Sequence, residues 1–175
     1  MSPRSAFLTV GATAPFDALL SAVLDDDALR ALRDKGYTHL EVQCGKTQLP
    51  DLAQVSSAPW HTQRQGVDIS LWDFKSSLSE DIKRADLVIS HAGSGTIVDV
   101  LRLGKALIVV PNTALLHNHQ EEVARALHER RHLISCSVPD VARAIRDLDT
   151  SSLIPFPAFD GSEFQTILDE EMGFI

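Results

Sequence analysis

Short apolar runs alternate along the chain with longer amphipathic segments, the order expected when strands and helices build a parallel sheet covered by helices. Residues 7–10 predict a first strand, stopped by Gly11. Residues 15–24 and 28–35 predict helices, with Gly36 placed as a C-terminal cap. Residues 38–43 predict a second strand closed by Gly45, and residues 67–74 a third. Between these two, residues 46–65 are rich in Ser, Gln, Pro and Ala without periodicity, which predicts a surface loop or flexible insertion. Ser77 or Ser79 is placed to cap a short helix ending near Arg84, where Glu80 and Asp81 suit the positive end of the helix dipole.

The densest pattern follows. Residues 86–90 read as a buried strand, then come a glycine turn, a helix through Leu103, Gly104 as its cap, and a second buried strand at 106–110. That is one strand–helix–strand unit in about 25 residues, with the expected punctuation at each boundary. Pro111 ends the strand, a loop runs to Asn118, and a helix from 119 to about 130, a strand at 133–136 and a helix at 138–148 complete the expected core. Past Pro155 and Pro157 a last helix is expected near 163–170. The expected organisation is thus an α/β domain over residues 1–150, its parallel sheet flanked by helices, followed by a C-terminal segment, 151–175.

Composition narrows the class. A chain of 175 residues, 44% hydrophobic and 23% charged, suits one globular domain with a single substantial core. A net charge of −8 argues against a nucleic-acid surface, which draws on clustered Lys and Arg. The densest basic stretch, residues 125–132, is interrupted by Glu129 and reads as the solvated face and C-terminal end of a helix. Cys44 and Cys136 match no metal or redox spacing and read as small buried hydrophobes at strand ends. The N-terminal apolar stretch is broken by Gly11, Thr13, Pro15 and Asp17, unlike a signal peptide, and no apolar run approaches the roughly 20 residues that span a bilayer. The expectation is a cytoplasmic chain that reaches a membrane only through a partner.

The candidate chemistry centres on His91-Ala92-Gly93-Ser94-Gly95-Thr96. This loop sits where a parallel sheet presents ligands, at the carboxyl end of a strand leading into a helix. Gly93 and Gly95 allow a tight turn and a close backbone approach, and the free N–H groups of the helix start suit a diphosphate. Two glycines alone are equally consistent with a plain strand-to-helix turn. Three known motifs do not fit: a dinucleotide fingerprint would have Gly or Ala where Val98 stands, no Gly-Lys-Ser/Thr run makes a phosphate loop, and a nucleophile elbow would have glycines where Ala92 and Thr96 stand. Asp99, three residues after Thr96, shares its side of the helix and can accept ribose hydroxyls, or simply be an acid near a helix N-terminus. The loop after the next strand carries Asn112, Asn118, His119 and Gln120, side chains that suit sugar hydroxyls. Gly11-Ala12-Thr13, after the first strand, is a third loop at that edge or an ordinary turn. No metal site is expected, because His117 and His119 diverge on a helix and lack a third ligand.

Asp86-Leu-Val-Ile-Ser-His-Ala-Gly-Ser-Gly-Thr-Ile-Val-Asp-Val-Leu-Arg-Leu-Gly-Lys, followed by Leu107-Ile-Val-Val-Pro-Asn and Asn118-His-Gln, closely resembles the catalytic subunits of the two-part UDP-N-acetylglucosamine transferase. That enzyme makes the second sugar addition to dolichyl diphosphate in N-glycan assembly. Phe7-Leu-Thr-Val-Gly-Ala-Thr and residues 69–74 also look like this family, whereas residues 46–65 and those after Thr150 match weakly. The family is similar to the donor-binding, C-terminal half of the bacterial transferase that adds N-acetylglucosamine to a lipid-linked peptidoglycan sugar, a GT-B fold. Ala106 stands where many relatives have Pro after Gly-Lys, a departure that bears on the turn alone.

The resemblance implies that Gly93, Ser94, Gly95 and Thr96 line the diphosphate or sugar, and that Asp99 holds the ribose. It further implies that Asn118, His119 and Gln120 contact the N-acetylglucosamine ring, with Gly11, Ala12 and Thr13 near the diphosphate and acceptor. The implied reaction is an inverting displacement from UDP-N-acetylglucosamine to a dolichol-linked acceptor, with no cofactor and no metal within the protein. One Rossmann-like domain is half of such an enzyme, so a membrane-anchored partner subunit is expected to supply the rest and recruit the chain to the cytosolic face of the endoplasmic reticulum. His91 is a candidate base by its ordinary pKa, although the base is expected on the partner, leaving His91 to position the loop or donor. The C-terminal segment, with its apolar end Met172-Gly173-Phe174-Ile175, is a candidate docking element. The competing class is a nucleotide-sugar-binding or regulatory subunit without chemistry of its own; a stand-alone hydrolase or epimerase lacks its motif.

Overall fold

The computed structural model describes residues 3–11, 14–46, 60–113 and 119–157. Within them the strands are β1 (Arg4–Thr9), β2 (Tyr37–Gln43), β3 (Trp60–Arg64), β4 (Val67–Trp72), β5 (Leu87–Ser90), β6 (Ala106–Val109) and β7 (Ile134–Ser135). They form one sheet in the order β3-β4-β2-β1-β5-β6-β7. Every pairing is parallel except that of β3 with β4. The helices are α1 (Asp17–Val23), α2 (Asp26–Asp34), α3 (Ser79–Arg84), α4 (Ser94–Arg102), α5 (His119–Glu129) and α6 (Val141–Asp147).

Alternation along the strands divides the core in two. Leu71, Val42, Leu8, Ile89 and Ile108 stand in register across β4, β2, β1, β5 and β6, and they pack with α1, α2 and α6. One position earlier, Phe7, Val88 and Leu107 align and pack on the opposite face against Ile82 of α3, Ile97, Val100 and Leu101 of α4 and Ala124 of α5. Helices on both faces explain why the central strands read as continuous apolar runs.

Local chemistry sets the helix boundaries. α2 starts where the Asp25 carboxylate accepts the amide of Asp27 at 2.9 Å, carries Asp26 and Asp27 in its first turn, and buries Ala28, Leu29, Ala31 and Leu32. α4 buries Ile97, Val100 and Leu101 at the spacing of one helical face, and Gly104 follows with a φ of +65°.

Four expectations are corrected. Residues 46–65 are not all loop: β3 pairs antiparallel with β4 through a two-residue turn in which Gln65 (φ +51°) and Gly66 (φ +79°) are both left-handed. Such a turn matches strand twist and makes a tight hairpin. β4 stops at Trp72, two residues short of the expected end. α3 has Leu78 at its N-cap with no side-chain cap, because the Ser77 hydroxyl accepts the amide of Ser79 at 3.3 Å from one residue upstream. The helix expected from Val138 opens as a 3-10 turn over Val138–Asp140, with Pro139 in its first turn, before α6. The helix expected near 163–170 lies outside the described residues. No helix among the described residues is long and apolar enough to cross a membrane.

Candidate functional site

β1 lies between β2 and β5. From β1 the chain builds outward through β2 to β4, then returns to β5 on the other side and builds outward through β6 and β7. The loops after β1 and β5 therefore leave the carboxyl edge in divergent directions, and such a switch point opens a crevice in a parallel α/β sheet.

Beneath this crevice lies a buried polar row. Thr9 pairs in register with Gln43 on one side and Ser90 on the other, and all three are buried. The Thr9 hydroxyl donates to the Gln43 side-chain oxygen and accepts the amide of Gly11 at 3.2 Å, fixing the start of the β1 loop. Gly11 has a φ of +80°, a conformation that favours glycine. Ser90 Oγ and His91 Nδ1 are buried without a hydrogen-bond partner among the described residues.

The turn from β5 into α4 is sharp. Ala92 takes a φ of +47° with its side chain buried in the α4-side core, a conformation that costs a non-glycine residue about 1 kcal/mol or more. Gly93 is the N-cap of α4 and brings no side chain to the first-turn amides. The His91 ring packs between Gly11 and Gly93: a Cβ on either would stand 2.6 Å from a ring atom. Burial pulls the His91 imidazole below its ordinary pKa, opposed by a weaker interaction with the Thr9 backbone.

Beyond this floor the site opens to solvent. Ser94, Gly95 and Asp99 are exposed and Thr96 is half-buried. A Cβ at Gly95 would meet nothing within 4 Å, so the space above that residue is free for a ligand. His119 begins α5 and Gln120, half-buried, follows it. Ala12, Thr13 and Asn118 lie outside the described residues. The structure thus gathers the loops after β1, β5 and β6 along one edge.

Two features of that edge were not anticipated. Phe74, expected to end a strand, is 62% exposed just past β4. Its loop is anchored by the buried Asp81 carboxylate, which receives Lys75 Nζ at 2.8 Å and Arg84 at 2.6 Å, while the Lys75 ammonium lies 3.9 Å from the Trp72 ring centroid. An aromatic between a strand end and a short polar helix was the available signal. Arg125 and His128, expected on a solvated helix face, line a cleft of about 490 Å³ with Pro111, Glu121, Glu122 and Ser135. There the Ser135 amide donates to His128 Nδ1 at 3.2 Å.

The glycosyltransferase family 28 C-terminal domain matches residues 5–170. The chain belongs to this glycosyltransferase family. Its β5 turn and α4 are therefore those of a glycosyltransferase domain. The UDP-N-acetylglucosamine transferase subunit ALG13 of Mus musculus is 41% identical over 134 residues, covering 77% of the chain but 11% of the mouse protein. The subunit of the same name from Saccharomyces cerevisiae is 31% identical over 192 residues, covering 95% of each. Among solved structures, the solution structure of ALG13 superposes with a TM-score of 0.69 at 28% identity, covering 95% of both chains. Acinetobacter baumannii MurG shares the fold with a TM-score of 0.61 at 21% identity, over 87% of the chain and 44% of MurG. The family 28 domain is thus the expected Rossmann-like sheet, the C-terminal half of a two-domain GT-B transferase.

Proposed function

We propose that this chain binds UDP-N-acetylglucosamine along the carboxyl edge of β1, β5 and β6 and, joined to a membrane-anchored partner subunit, transfers the sugar to N-acetylglucosaminyl-diphosphodolichol with inversion. The observation that carries this reading is the convergence, at the switch point of a glycosyltransferase family 28 sheet, of the Gly11 loop with the uncapped N-terminus of α4. The names of the relatives support both the donor and the assembly, since each is called a UDP-N-acetylglucosamine transferase subunit.

In this reading Gly93, Ser94, Gly95 and Thr96 surround the diphosphate, and the α4 amides and dipole stabilise the charge that develops on UDP as it leaves. Exposed Asp99 accepts the ribose hydroxyls. Asn118, His119 and Gln120 hold the N-acetylglucosamine ring, and Gly11, Ala12 and Thr13 lie near the diphosphate and acceptor. The acceptor hydroxyl attacks the anomeric carbon as the bond to UDP breaks, and its proton passes to a base on the partner. No metal or cofactor takes part. The partner holds the chain at the cytosolic face of the endoplasmic reticulum, and residues 151–175 are the docking element.

The test is reconstitution: the full chain, co-expressed with the membrane subunit, is supplied with labelled UDP-N-acetylglucosamine and a lipid diphosphate acceptor bearing one N-acetylglucosamine. A labelled disaccharide lipid that requires both subunits supports the proposal. Binding of the donor with no transfer by the assembled pair would reduce the chain to a recognition subunit.

A further inference from the structure

Position 93 does not need glycine for its backbone, because a φ of −69° is open to any residue. The need comes from His91. A Cβ at Gly93 would stand 2.6 Å from His91 Nε2 and 3.0 Å from Cε1, and a Cβ at Gly11 would stand 2.6 Å from Cε1 and 2.7 Å from Nε2. Both separations to Nε2 are far inside van der Waals contact, so the two glycine backbones lie against the same edge of one ring. One loop leaves β1 and the other leaves β5, strands adjacent in the sheet, so the imidazole fills the gap between the two loops that bound the crevice.

We propose that His91 is a spacer: its ring sets the separation of the Gly11 and Gly93 loops, and through them it positions the donor's diphosphate instead of taking the acceptor's proton. The inference rests on the donor-binding reading above. Two observations carry it. The backbones of both loops lie against the Nε2–Cε1 edge of the ring, so a methyl added to either glycine meets the imidazole. The segment carrying the ring is anchored: Ala92 is buried in the core at a left-handed φ, and the Ser90 carbonyl accepts the Val110 amide at 2.8 Å.

The experiment uses the reconstituted pair of full chains and compares wild type with Gly93→Ala, His91→Ala, the double variant and His91→Phe. Gly93 is chosen over Gly11 because its φ tolerates alanine, and the double variant and the ligand-free unfolding cycle separate the methyl's contact with the ring from any contact with the diphosphate. A spacer predicts that Gly93→Ala and His91→Ala each raise the donor KM about tenfold or more while kcat falls less. In the double variant the two losses should fall short of their product by about threefold or more, because the added methyl no longer meets a ring. His91→Phe, a ring without a nitrogen, should recover most of the donor KM. Urea unfolding of the same set follows the contact without ligand: Gly93→Ala should destabilise less when combined with His91→Ala.

Multiplicative KM losses together with additive unfolding losses would overturn the spacer. So would a fall in kcat of about a hundredfold or more at unchanged KM in both His91→Ala and His91→Phe, the mark of a lost proton acceptor. A wild-type pair without UDP-N-acetylglucosamine turnover would instead defeat the donor reading, and the unfolding cycle would still decide whether the ring separates the loops.

Discussion

A Cβ at Gly45 would stand 2.5 Å from the carbonyl oxygen of Gly11. The loop after β2 therefore touches the loop after β1 backbone to backbone at the carboxyl edge, and Gly45 is itself left-handed, with a φ of +57°. Gly45→Ala should push the Gly11 loop toward His91 and lower stability by about 1–3 kcal/mol, the usual cost of overpacking. Urea unfolding measures this, and the same variant should bind UDP-N-acetylglucosamine more weakly. A variant as stable as wild type would show that the edge is looser than these contacts imply.

Gly45 and Gly11 also mark where sequence reading stops. The unit from β5 through α4 to β6 is legible because each boundary has its own local signal: the apolar run to Ser90, the spacing of Ile97, Val100 and Leu101, and Gly104 after the helix. Gly93 and Gly95 were legible as a pair, yet for a common reason that the structure divides. Gly95 faces open space, whereas Gly93 answers to a histidine ring. The contacts of His91 with Gly11 and of Gly45 with Gly11 join segments far apart in the chain, and no periodicity encodes them. β3 escaped notice because its turn is Gln65-Gly66 rather than Asn-Gly or Asp-Gly, and because its residues lack clean alternation, with only Thr62 partly covered.

Asp99 is exposed and makes no hydrogen bond or ion pair with any described residue, so its worth to the fold is small. If it accepts ribose hydroxyls, Asp99→Ala should raise the dissociation constant for UDP-N-acetylglucosamine by about 10–100-fold, the range for hydrogen bonds to a charged group. The unfolding midpoint should stay near wild type. Calorimetric titration beside urea unfolding separates the two effects, and unchanged affinity would remove Asp99 from the site.

The depressed pKa of His91 makes a prediction about stability against pH. Burial disfavours the charged imidazole in the folded protein, so its pKa there lies below the ordinary value of 6.5. Above pH 6.5 neither state binds the proton and stability is unaffected. As pH falls below 6.5 toward the folded value, the unfolded chain takes up a proton that the folded chain resists, and stability is lost. Urea midpoints measured from pH 7.5 to 5 should therefore fall more steeply for wild type than for His91→Phe. Parallel curves would mean that the ring is reached by water.

The two cysteines should be inert in the native protein. The buried Cys44 thiol donates to the Trp72 carbonyl at 3.3 Å and its pKa is raised by burial. Burial, reinforced by the Asp140 carboxylate, pushes Cys136 up to about 12. Thiols in that state present little nucleophilic thiolate. Iodoacetamide at pH 8, followed by mass spectrometry, should leave both unmodified in the folded chain and alkylate both in urea. Rapid native labelling of Cys44 would contradict its burial, and rapid labelling of Cys136, half-buried where it lines the cleft with Ser135 rather than buried as expected, would contradict its raised pKa.

In the proposed site the donor is held between the Gly11 loop and the N-terminus of α4. The most direct test is calorimetric titration of the full chain, assembled with its partner subunit, with UDP-N-acetylglucosamine, and then of the Asp99→Ala and Gly93→Ala variants. Saturable one-to-one binding, weakened in both variants while each remains folded, is the predicted result. Saturable binding that both variants keep at wild-type affinity would place the donor elsewhere and contradict the account.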